Sequence, residues 1–147
     1  MKYCFHFLMI FILVSCAKPS VPVDPISLQM RLVRETETPQ TQNYFFNGEV
    51  LHVEEAAHVT ELDVVTAVPD KDEYGRHAVL VQLNQEGARR LCRVTEECRG
   101  KRLAILVEDK VRTAPMIGFA VCSGKLVFPV STKEEAEDFA RRLSRHR

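Results

Sequence analysis

Any chemistry in this chain would have to come from its cysteines and histidines. Cys92, Cys98 and Cys122 stand in its second half. A nucleophilic cysteine needs a base and a third group to orient that base, and the order of Cys and His along the chain suggests no such pairing. Cys92 falls on the apolar stripe of a candidate helix and reads as a core thiol. Cys98 lies near the end of that helix and Cys122 at the end of a candidate strand, which makes Cys98 and Cys122 the candidate disulfide in an exported protein. A Cys92–Cys98 bridge is disfavoured, because six helical residues spread the Cα atoms beyond about 7 Å. His52 and His58 bracket Glu54 and Glu55, but a metal helix sets its histidines four apart. A spacing of six separates them by about 9 Å along a helix, so they read as surface or loop histidines, and His77 reads as structural. Ser123-Gly124 is a turn and not a nucleophile elbow, and no glycine-rich phosphate loop is present. The expectation is a non-enzymatic protein with no metal, cofactor or small-molecule substrate.

The composition agrees with a binding or structural role. The 147 residues carry 20 Lys+Arg against 20 Asp+Glu, with 46% hydrophobic residues and no Trp. Balanced charge argues against a nucleic-acid binder, and five Cys with no C-x-x-C pair do not make a disulfide scaffold. The charge is uneven locally. Acids dominate from Glu54 to Glu73, and bases dominate from Arg89 to Arg102.

The N-terminus reads as an address. Lys2 precedes an apolar run from Tyr3 to Val14, which is shorter than the roughly 20 residues of a membrane span and has the pattern of a secretory signal. The run closes on Leu13-Val14-Ser15-Cys16, which resembles the bacterial lipobox. That resemblance implies cleavage before Cys16 and acylation of its thiol, so the partner there is membrane lipid. Ala17, with no Asp after the cysteine, resembles an outer-membrane sorting signal. Residues 1–15 are then signal and residues 16–25 a lipidated tether rich in Pro19, Pro22 and Pro25. In polyproline geometry this spacer reaches roughly 30 Å at about 3.1 Å per residue.

Residues 26–147 read as one α+β domain. Ile26, Leu28, Met30 and Leu32 alternate as a half-buried strand. Thr36–Asn43 is polar and reads as a loop. Tyr44-Phe45-Phe46 meets Asn47-Gly48, a strong hairpin signal, and Glu49–Val53 returns. Glu54–Glu61 is ambiguous, with a short helical turn as one reading. Leu62–Val68 and His77–Leu83 form a hairpin around a turn spanning Pro69–Arg76. Asn84 caps a helix with Ala88, Leu91, Cys92 and Thr95 on one stripe, and Gly100 is placed to stop it. Arg102–Val107 and Lys110–Thr113 are strands about a Glu108-Asp109 turn. Met116–Cys122 and Lys125–Val130 are read as two more. Ser131 with Glu134 forms a capping box for a last helix with Ala136, Phe139, Ala140 and Leu143 on one face. That helix opens with acids and closes with Arg141, Arg142, Arg145 and Arg147, which complements its dipole. The economical packing is an antiparallel sheet with two amphipathic helices on one face, ferredoxin-like in outline.

The stretch from Gly100 to Pro115 is similar to the head subdomain of the first periplasmic domain of SecD and SecDF translocase subunits. Gly100, Lys101, Leu103, Ala104, Ile105, Lys110, Val111, Ala114 and Pro115 carry the match. Leu83-Asn84-Gln85-Glu86-Gly87-Ala88 resembles that family's Leu-Asn-Glu-Glu-Gly-Ala helix start, and Thr132–Glu137 its Thr-x-Glu-Glu-Ala start. Order and spacing agree over about 50–144. The sequence departs where Glu108-Asp109 replaces Asp-Gly, forcing a non-glycine residue toward the left-handed region, and where Phe128-Pro129-Val130 replaces glycines. The resemblance implies a SecD-head-like fold and a protein partner, and supplies no catalytic residue or proton-coupling helix. The expected function is an envelope lipoprotein with a protein-binding module accessory to export or envelope protein handling. It would be held at the periplasmic face of the outer membrane. Free sheet edges accept extended peptides, and the apolar stretch from Met116 to Phe119 is a candidate surface. The alternative is a structural or assembly subunit of a membrane-attached complex that binds no client.

Overall fold

The computed structural model describes residues 24–144. The signal segment, Cys16, the tether up to residue 23, and Arg145 and Arg147 lie outside the described residues. Nine strands and two helices follow in order: β1 (Leu28–Arg34), β2 (Thr41–Phe46), β3 (Glu49–Glu54), β4 (Val59–Thr60), β5 (Val64–Lys71), β6 (His77–Leu83), α1 (Gln85–Glu97), β7 (Arg102–Val107), β8 (Lys110–Thr113), β9 (Lys125–Pro129) and α2 (Lys133–Leu143). A 3-10 turn, Glu61–Asp63, links β4 to β5.

The strands divide into two antiparallel sheets, where the packing argument expects one ferredoxin-like layer. The larger sheet runs β2-β3-β1-β7-β8 with β4 also on β1, and the smaller runs β5-β6-β9. The reason is legible in β7. Leu103, Ile105 and Val107 enter the main core, while Ala104 and Leu106 on its opposite face enter a second one with Leu51, Val53 and Ala114. A strand buried on both faces needs cover on both sides. The larger sheet supplies it by curling until β2 and β8 come into contact. The main core then collects β1, β5, β6, β9 and both helices, with Phe128, Leu91 and Leu143 among its fully buried side chains. Residues Ala136, Phe139, Ala140 and Leu143 of α2 are all buried, as their spacing predicts, and this helix packs on β5 and β6.

Several boundaries differ from the sequence reading. β2 begins at Thr41, so the expected loop is shorter; the Thr38 and Thr41 hydroxyls make the turn themselves, Thr41 Oγ1 accepting from Thr38 N at 2.9 Å. Pro69 lies inside β5, opposite Val79. The N-cap of α2 is Thr132, one residue after Ser131, and it accepts from Glu135 N at 3.1 Å. Met116–Cys122 forms no strand; only an isolated bridge joins Met116 to Arg102. The Asn47-Gly48 turn has both residues at positive φ, 50° and 85°, the geometry of a type I′ hairpin. Glu108 and Asp109 also take φ of 50° and 58°. Glu108 N donates to Ser27 O at 3.1 Å and its carboxylate pairs with Arg142, contacts that hold this strained turn in place.

Candidate functional site: an apolar cleft beside β9

The connection from β8 to β9 is irregular, yet fastened at both ends. At its start Leu103 N donates to Pro115 O at 3.0 Å, Ile117 N to Lys101 O at 2.7 Å, and Gly100 N to Ile117 O at 2.8 Å. Arg102 Nε donates to Ala114 O at 2.9 Å. At its end the chain runs back along α1, and three contacts meet one helix stripe in order. Val121 N donates to Thr95 Oγ1 at 2.9 Å. Cys122 is disulfide-bonded to Cys92, with Cα atoms 4.3 Å apart. Gly124 packs on Ala88, where an added Cβ would stand 2.8 Å from the Ala88 Cβ at a φ of +67°.

This register corrects the expected Cys98–Cys122 bridge. With Val121 held at Thr95 and Gly124 at Ala88, Cys122 falls opposite Cys92. Cys98 lies about 9 Å further along the helix axis and remains a free thiol packed against the main core. The signal was present: Ala88, Cys92 and Thr95 follow at i, i+4 and i+7, and Gly124, Cys122 and Val121 mirror that order. Thr95, read as part of an apolar stripe, is buried and has a specific task. Its hydroxyl donates to Leu91 O at 2.7 Å while accepting from Val121 N.

Between the two fastened ends the chain bows outward. Met116 and Phe119 are 71% and 73% exposed, and Val127 on β9 is 47% exposed. They rim a cleft of about 670 Å³ whose floor includes Leu91, Leu103, Ile105 and Ile117, a size common for ligand clefts. This exposed apolar cleft is the candidate interaction surface of the domain. Arg93, Arg99, Lys101 and Lys125 pair with no carboxylate among the described residues.

The helix start at Leu83–Ala88 has a packing role. Asn84 Oδ1 accepts from Gly87 N at 2.8 Å. Gly87 admits Asp63, whose Cβ would lie 2.7 Å from any Cβ added there. Asp63 is buried, accepts from Thr60 N at 3.0 Å and pairs with Arg90. Arg90 Nε also donates to His58 O at 3.0 Å. The candidate histidines are not brought together: His52 Nδ1 lies 2.7 Å from Asn43 Oδ1, and His58 Nε2 lies 3.3 Å from Glu54 Oε2. Among the described residues no cluster of three His, Cys, Asp or Glu could hold a metal. No helix among them is long and apolar enough to cross a membrane.

The arrangement defines an α+β head domain with an apolar cleft and a sheet edge beside it. Residues 36–145 match the family described as SecDF, P1 head subdomain, and the chain belongs to that family. The match starts earlier than the 50–144 stretch legible by motif. Over 83 residues the chain is 37% identical to the protein translocase subunit SecDF of Thermus thermophilus, covering 56% of this chain and 11% of that protein. It is 36% identical over 88 residues to SecD of Aquifex aeolicus, covering 60% and 18%. The chain thus spans less than a fifth of either relative. A crystal structure of SecDF in a super-membrane-facing form matches with a TM-score of 0.69 and 26% identity over 83% of this chain and 19% of that one. A second structure, of a membrane component SecDF that enhances protein export, matches with a TM-score of 0.66 and 28% identity over 83% and 63%.

Proposed function

We propose that this protein is a non-enzymatic envelope lipoprotein that binds unfolded exported chains through its SecD-type head. The observation that carries this is the cleft rimmed by Met116, Phe119 and Val127, an apolar surface left open on a head domain. Membership of the SecDF P1 head family supports a link to protein export. The likeness to a SecDF that enhances protein export supports an accessory role there. Acylation of Cys16 anchors the domain to membrane lipid, with the domain outside the cytoplasm at the periplasmic face of the outer membrane. Two or more acyl chains make such anchoring stable.

The test uses the Cys16→Ser protein, purified without acylation, and a permanently unfolded, reduced and alkylated polypeptide as probe. Saturable binding that the Met116→Ser/Phe119→Ser variant abolishes is the expected result. Absence of binding by the parent protein overturns the reading. Labelled palmitate should enter the wild type and not Cys16→Ala; equal labelling removes the anchor.

A second reading, an assembly subunit without client binding, is favoured by a different patch. Phe45 and Val50 face each other across the β2–β3 hairpin and are both exposed. A stable stoichiometric partner in cross-linking, lost in Phe45→Ser, would support it.

A further inference from the structure

We infer that β9 is the docking strand, and that it takes an extended polypeptide segment by strand addition with an acidic residue opposite Lys125. This rests on the client-binding reading above and specifies its mode. The ladder between β6 and β9 sets which backbone groups are available. Leu83 N donates to Gly124 O at 2.8 Å, and Val130 N to His77 O at 2.9 Å. Positions in an antiparallel ladder alternate between hydrogen-bonded and non-bonded pairs. The pairs Val81↔Leu126 and Val79↔Phe128 are therefore bonded, and the odd-numbered residues of β9 turn their backbone groups away from β6. Lys125 agrees, since its N–H donates to Ser123 Oγ at 3.2 Å and not to β6.

That leaves an open row: Lys125 C=O, Val127 N–H, Val127 C=O and Pro129 C=O have no partner among the described residues. Lys125, Leu126 and Val127 line the cleft, and no β6 residue does, so the row borders the cleft on the side away from β6. A segment laid there pairs with Val127 through two backbone hydrogen bonds and gives a third to Lys125 C=O. One face of it meets Leu103, Ile105 and Ile117, and the other lies beside exposed Val127. Pro129 has no N–H to give and ends the docking row. Charge chooses the occupant further. Lys125 has no carboxylate partner among the described residues, and opposite charges directly across a pair of strands stabilise it. The fitting segment is extended, alternates apolar residues, lacks proline opposite Val127 and carries Asp or Glu opposite Lys125.

The ladder also supplies the variant. Pro69 occupies the corresponding outward position on the other edge strand, β5, opposite Val79, so this sheet already folds with proline at such a site. Val127→Pro removes only the outward N–H, and Val127→Thr keeps it. The probe is an acetylated heptapeptide alternating Val and Thr with one Glu, read by fluorescence anisotropy against the Cys16→Ser protein. Its twin carries one backbone N-methyl group at the central residue. The inference expects Val127→Thr, which keeps the N–H and trims only apolar contact at the rim, to bind more tightly than Val127→Pro. It expects both Val127→Pro and the methylated twin to be about tenfold weaker, the scale of one or two lost backbone bonds. The methylated twin leaves the protein untouched, so it decides the matter even if Val127→Pro fails to fold. Equal binding of the two peptides overturns strand addition, and leaves the client reading standing if Met116→Ser/Phe119→Ser still abolishes binding. Self-association of the parent through β9, abolished in Val127→Pro, also overturns it, since a second copy would then be the occupant.

Discussion

The smaller sheet has two edges, and they are finished differently. On β5 the outward positions include Pro69, which has no N–H to offer, and Ala67, whose carbonyl accepts from Ser144 Oγ at 3.3 Å. Helix α2 packs over this strand. On β9 the outward row is open at Val127 and bounded only by Pro129. Proline and a covering helix are the usual ways of blunting an edge that would otherwise recruit another chain. One edge is closed and the other, beside an apolar cleft, is not. One strand thus carries two different surfaces: the inward face of β9 takes Phe128 into the core, and its outward edge is left open.

The largest expected effect sharpens that contrast. Phe128→Ala removes a fully buried ring that stacks near Phe139, at 6.4 Å between centroids, and should cost about 3–5 kcal/mol by chemical denaturation. Val127→Thr, one residue away and half exposed, should stay within about 0.5 kcal/mol. Similar losses at both positions would break the division. Next, Cys92→Ser/Cys122→Ser opens a loop with a sequence separation of 30, worth about 3–4 kcal/mol by loop-closure entropy. A reductant should reproduce this loss in the wild type and have no further effect on the variant. Amide exchange should rise around Val121 more than around Ala67, because the bridge fastens only the β9 side.

Gly124→Ala comes third. It places a Cβ 2.8 Å from that of Ala88 at a positive φ, and should cost about 1–3 kcal/mol in thermal or urea unfolding. Pro69→Val should change stability by less than about 1 kcal/mol while giving β5 an outward N–H. Sedimentation should then show new self-association if proline is what keeps that edge closed; a sedimentation coefficient equal to the wild type's would assign the protection to α2 alone.

The smallest effect is a pH dependence on the β5 side. Asp72 closes the β5–β6 turn, accepting from Tyr74 N at 3.0 Å, Arg76 N at 2.9 Å and Arg76 Nε at 2.6 Å. Desolvation alone would raise its pKa, but the hydrogen bonds and charge of Arg76, with the Tyr74 N–H, hold it below the usual Asp range. A carboxylate whose pKa is lowered by folding adds stability above its unfolded value of about 3.9, and that stability is lost as pH falls through the folded value. The Tm difference between wild type and Asp72→Asn should therefore be constant near neutrality and shrink below pH about 4. A difference that persists unchanged into stronger acid would detach it from this carboxylate.

Much of this architecture was legible from local pattern. Asn84 marks the start of α1, which ends at Glu97 with Cys98 as C-cap, three residues ahead of the expected stop at Gly100; Asn47-Gly48 marks the β2–β3 hairpin, and the stripe from Ala136 to Leu143 marks the buried face of α2. Each is a signal carried by neighbours in sequence, where backbone preference and periodicity act. The family motifs were legible for the same reason. Leu83–Ala88 is a strand end, an N-cap and a glycine that admits Asp63. Met116–Cys122 misled because its apolar residues imitate a strand, while its backbone groups bond outside any ladder, Ile117 to Gly100 and Lys101 and Val121 to the Thr95 hydroxyl.

The sequence by itself determined the helices, most strands, their turns and the family, because these follow from short-range sterics and alternation. Only the tertiary structure decided that the strands form two sheets, that Cys92 rather than Cys98 meets Cys122, and that β9 keeps an open edge. Those outcomes depend on which surfaces meet. Partner choice among strands and thiols is set by long-range packing, through the two-faced burial of β7 and the run of Gly124, Cys122 and Val121 along α1.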